Sequence, residues 1–124
     1  MNGSPFAAPL AALARQRGVL GAMVVSEDDG VIVDSNLQID VRGPAVAALT
    51  ASLYRKARLA SQAAEFGRTA FLQLEAERGH VCAVGEAGLV LVTVAEARAN
   101  VGLIRVEMLR ATGALAAAGA WGGR

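Results

Sequence analysis

The sequence predicts an α/β (α+β) sandwich. Its core is a five-stranded antiparallel sheet in the order 2-1-5-4-3, with one long helix on one face and two helices on the other. Three observations carry this expectation. Val19–Ser26 (VLGAMVVS) and Leu89–Ala95 (LVLVTVA) are apolar on both strand faces, so both belong inside a sheet that is covered above and below. The second and third strand-like runs are more polar, which places them at the margins. Helical stripes precede, separate and follow the two strand groups, which supplies the covering layers.

In chain order, Pro9 suits the first turn of a short helix carrying Leu10, Leu13 and Ala14 and ending at Gly18. Strand Val19–Ser26 then turns at Glu27-Asp28-Asp29-Gly30 into Val31–Leu37, whose Asp34, Ser35 and Asn36 suit an edge. Gly43-Pro44 opens the longest helix, expected to run to about Phe66 before Gly67 stops it. Val46, Leu49, Leu53, Ala57, Ala60 and Ala64 form its stripe, with Thr50, Arg55, Arg58 and Gln62 largely elsewhere. Arg68–Glu77 alternates as a third strand, placing Leu72 and Leu74 opposite Phe71 and Gln73. Arg78-Gly79 and Ala87-Gly88 then turn the chain through His80–Val84 into the last strand. Asn100 caps a final helix carrying Val101, Ile104, Met108, Ala111 and Leu115. Residues 1–8 are expected to be a flexible N-terminus, 9–118 a single domain and 119–124 a flexible tail around Trp121.

The 124 residues suit one core. Charged residues are 19% against roughly 25% in an average soluble domain, and 54% are apolar. Mean hydropathy is +0.42, yet no run reaches the ~18 apolar residues of a membrane span, and Met1–Arg17 lacks the pattern of a secretory signal. A chain this apolar is expected to hide surface in a partner. Net charge of +1, with Lys56 the only lysine, argues against nucleic acid as a target. The single Cys82 excludes an internal disulfide and fits a reduced, cytoplasmic setting.

Candidate chemistry is sparse. Neither G-x-x-x-x-G-K-[ST] nor G-x-G-x-x-G occurs, so the chain is not expected to be an ordinary GTPase or dinucleotide enzyme. Glu27, Asp28, Asp29 and Asp34 lack calcium-loop spacing and read as hairpin chemistry. His80 and Cys82 share a strand face without further ligands and read as packing residues. No catalytic residue, metal or cofactor is expected. Arg55, Lys56 and Arg58 form the one basic cluster: a solvated helix face on the plain reading, a docking patch on the functional one.

The element order, the Asp29-Gly30 turn after an apolar first strand, and Asn100-Val101-Gly102-Leu103-Ile104-Arg105 opening the last helix resemble the Roadblock family of dynein light-chain-like proteins. That family includes bacterial MglB-type regulators of Ras-like GTPases, and the likeness spans about Leu10 to Leu115. It implies a cytoplasmic, bacterial homodimer, with third strands pairing into a ten-stranded sheet and second helices packing antiparallel. The expected interface is Leu49, Leu53, Ala57, Ala60, Ala64, Arg68, Thr69, Phe71, Gln73 and Glu75. The resemblance also implies a small Ras-like GTPase as partner, docking near Arg55, Lys56 and Arg58, with GTP hydrolysis modulated by reshaped switch loops. A purely structural dimerisation module and a small-ligand sensor are the alternatives.

Overall fold

The computed structural model describes residues 4–122, with side chains to Ala118. It contains α1 (Ala7–Ala14), β1 (Val19–Ser26), β2 (Ile32–Leu37), α2 (Gly43–Ala63), β3 (Leu72–Ala76), β4 (Gly79–Glu86), β5 (Leu89–Glu96) and α3 (Val101–Gly122). The strands form one sheet in the order β2-β1-β5-β4-β3, antiparallel throughout. This is the topology expected from the sequence. No helix among the described residues is long and apolar enough to cross a membrane.

The two apolar strands are central and feed two separate cores. Val24, Ala22, Leu91, Ala95, Cys82 and Val84 face α1 and α3, where Leu10, Leu13, Ile104, Met108 and Leu115 meet them. Met23, Val25, Val90, Val92 and Ala83 face α2 and pack on Ala47, Ala51 and Tyr54. Period-two alternation in β1 and β5 divides their apolar groups between the two layers, which is why both strands had to be apolar on both faces.

Local signals act as their residue types require. Gly30 takes φ +72° in the β1–β2 turn, and the Asp29 carboxylate accepts the Val31 amide at 3.0 Å. An added Cβ at Gly30 would also stand 2.9 Å from the Ala48 backbone, so α2 can lie close to this turn. The Leu103 amide donates to Asn100 Oδ1 at 3.1 Å, capping α3 as expected. Helix α1 starts at Ala7, two residues before Pro9, and Phe6 is buried against the core. Helix α3 extends to Gly122, while the Trp121 side chain and residues 1–3 and 123–124 lie outside the described part.

Three expectations need correction. The face of α2 that meets the sheet is Ala47, Thr50, Ala51 and Tyr54, so Thr50 is buried rather than set aside. The stripe Leu49, Leu53, Ala60 and Ala64 is instead exposed, turned about a third of the helix circumference away from the core. Strand β3 spans five residues, not ten, and Thr69, just before it, is drawn onto α2. Thr69 Oγ1 bonds Ser61 Oγ at 2.9 Å, and Tyr54 donates to the Thr69 carbonyl at 3.4 Å.

Finally, α2 ends at Ala63, well before Gly67. The Glu65 amide bonds the Gln62 carbonyl at 3.0 Å, and the Phe66 amide bonds the Ser61 carbonyl at 2.9 Å. This is a Schellman closure with Glu65, not glycine, in the left-handed position at φ +63°. Glu65→Gly is therefore expected to stabilise the fold by about 1 kcal/mol. A urea midpoint that stays or falls at fixed protein concentration would contradict this.

Candidate docking and assembly surface

The basic cluster on α2 divides in two. Arg55 Nη1 donates to the Glu27 carbonyl at 2.6 Å, while Arg58 grips the Glu27 carboxylate at 2.9 Å through Nε and 2.8 Å through Nη2. One helical turn separates the two arginines, so both face the start of the β1–β2 turn. They pin α2 to that turn. Lys56, rotated further round the helix, is exposed and has no ion-pair partner among the described residues. Glu27 lies 28 and 31 residues before its two partners, which sequence spacing does not reveal.

Asp29 and Asp34 of the hairpin are also engaged in local bonding. Asp34 accepts the Ser35 amide at 2.8 Å and the Ser4 hydroxyl. Among the described residues no group of three or more His, Cys, Asp or Glu is placed to hold a metal ion. His80 and Cys82 are buried on the face that α3 covers, with His80 Nε2 3.1 Å from the Ala97 carbonyl. Burial pushes the Cys82 thiol up to about 11, so it is a poor nucleophile at neutral pH.

An open cleft of about 490 Å³ lies at the C-terminal end of α2, lined by Glu27, Tyr54, Arg58, Arg68, Thr69 and Glu86 among others. Its charges are spent on one another: Glu27 with Arg58, and Arg68 with Glu86 at 2.6 Å. Among the described residues no unpaired charge converges there to select a ligand. Desolvation raises the pKa of Tyr54 at its wall.

The distinctive surface is at the other side of α2. Among the described residues β3 pairs only with β4, so its outer edge has free backbone donors and acceptors. Thr69 reaches the Ala57 and Ser61 side of α2, whereas Ala48 and Arg55 meet the β1–β2 turn. The exposed stripe of Leu49 (72% exposed), Leu53 (40%), Ala60 and Ala64, with half-buried Ala57 beside it, therefore looks towards the β3 edge. Beneath it on the same sheet face, Leu74, Val81, Val94 and Leu20 continue the apolar surface past the region packed on α2 and line a groove of about 430 Å³. On the opposite face Phe71 is half-buried, with the Arg105 guanidinium 5.0 Å from its ring centre. Gln73 and Glu75 are exposed on β3, while Arg68 and Thr69 precede the strand.

No family model matches the chain. It is 35% identical over 101 residues to uncharacterized protein MJ0714 of Methanocaldococcus jannaschii, covering 80% of this chain and 83% of that one. Among solved structures, a Roadblock/LC7 domain from Streptomyces avermitilis superposes with a TM-score of 0.77 at 18% identity, over 94% of this chain and 96% of that one. Gliding protein MglB from Thermus thermophilus gives a TM-score of 0.78 at 20% identity, over 94% and 91%. The chain therefore belongs to the sequence family of MJ0714 and has the fold of the Roadblock/LC7 domains.

Proposed function

We propose that this chain is a homodimeric platform that binds a small Ras-like GTPase and modulates its GTP hydrolysis without catalysing a reaction itself. The observation that carries the reading is the open β3 edge flanked on one sheet face by exposed Leu49 and Leu53 and the uncovered row ending at Leu74. Two copies pairing through β3 bury all three features together: the edge gains backbone partners, and each α2 stripe lies against the other. The structural likeness to MglB supports a role in GTPase regulation. Through that platform the partner's switch loops shift towards one nucleotide-cycle state.

The geometry also identifies the better probe. Arg55 and Arg58 hold α2 to Glu27, so reversing them disturbs the fold itself. Lys56 is exposed on the same helix and can be changed without that cost. Sedimentation of the wild type is expected to give an even number of chains, and Leu53→Glu half that mass. In titration against a Ras-like GTPase isolated from the source cell, Lys56→Glu is expected to weaken binding by about fivefold, the loss of one charged contact of about 1 kcal/mol. If GTP turnover is the same with and without the wild-type chain, the regulatory part is wrong and a purely structural dimerisation module remains.

A further inference from the structure

Helix α3 carries a second unpartnered surface, on the side away from the sheet. Ile104, Met108, Ala111 and Leu115 face inward, while Leu103 (58% exposed), Val106 (52%), Gly113 and Ala117 face out. Charge on this outer side is confined to Glu107 and Arg110, which pair at 3.0 Å. Arg105 is drawn aside over Phe71.

Gly113 is the informative residue. Glycine inside a helix costs about 1 kcal/mol relative to alanine. Among the described residues nothing lies within 4 Å of the position its Cβ would occupy, so their packing does not require glycine there. The position is open to a side chain approaching from outside.

We propose that a second copy of this chain lays its α3 antiparallel across this face, with the twofold axis passing beside Met108. Leu103 then enters the hollow at the partner's Gly113, Val106 covers the stem of the partner's Arg110, and Glu107 lies beside the partner's Arg110. The same contacts repeat in the other direction. Parallel packing would set Glu107 against the partner's Glu107 and arginine against arginine, so charge selects the antiparallel arrangement. One register satisfies both the sizes and the charges of the exposed side chains. The contact stands independently of pairing through β3. If β3 pairing also holds, each dimer presents two α3 helices on one side of its sheet, and two dimers meet through both at once, closing a four-chain assembly.

The test is the sedimentation mass of the full chain and three variants. Arg110→Glu and Glu107→Arg are each expected to halve the wild-type mass. An equimolar mixture of the two should return to it, because each then supplies the charge the other lacks. Gly113→Leu, which the open site accommodates, is expected to halve the mass as well. Wild-type mass for all three variants, or a mixture that stays small, overturns the proposal. The absolute masses separate the two interfaces. If β3 pairing fails but α3 pairing holds, the wild type contains two chains and Arg110→Glu one. If α3 pairing fails, Arg110→Glu matches the wild type while Leu53→Glu alone changes the mass.

Discussion

Tyr54→Ala is expected to cost about 3–5 kcal/mol of folding stability, the range for emptying a buried aromatic site. Tyr54 is 3% exposed and joins α2 to the sheet at two points. Its ring lies over Gly85 of β4, so closely that a Cβ there would clash with the ring. Its hydroxyl donates to the Thr69 carbonyl, helping to hold Thr69 against the helix. Removing the ring opens a cavity and frees the segment leading into β3. Tyr54→Phe keeps the ring and is expected to lose about 1 kcal/mol or less, since only one long hydrogen bond goes. Urea unfolding of the two variants beside the wild type checks the ranking, and equal costs would show that the hydroxyl, not the packing, holds α2 in place.

The second large effect is a loss of stability between pH 9 and pH 11. Burial lifts the Cys82 thiol from 9.0 to about 11 in the folded chain. Between those values the unfolded thiol has released its proton and the folded one has not. The native state therefore binds more protons, and stability falls as pH rises, levelling above about 11. That difference in proton affinity corresponds to roughly 3 kcal/mol. Tyr54, also raised mainly by desolvation, adds a loss of the same sign above its ordinary value of 10.0. Cys82→Ala lowers stability at neutral pH by leaving a small void, but its curve is expected to fall less steeply across this window. Parallel curves for wild type and variant would remove Cys82 as the cause.

Most of the fold is legible in the sequence. Val19–Ser26 is the observed β1 residue for residue, and the strand order follows from placing the two doubly apolar strands centrally. Such strands have no polar side to turn to water, so the sheet must be covered on both faces. Asp29-Gly30 and Asn100 are equally legible, because turn and cap chemistry is local. Helix α2 is only half legible. Its apolar residues form two overlapping stripes, and periodicity cannot say which one faces the sheet. Ala47, Ala51 and Tyr54 do so because Tyr54 fits over Gly85, a complementarity between residues 31 apart in sequence.

The candidate surface divides along the same line. That an edge strand and an apolar helix stripe exist follows from alternation and spacing, which are properties of neighbouring residues. That Arg55 and Arg58 are occupied with Glu27, that Thr69, just before β3, bonds Ser61, and that Gly113 stands in open space among the described residues are facts of packing. Each depends on which distant residues the fold brings within a few ångströms. Burial and hydrogen bonding act through space, whereas a sequence orders residues only along the chain.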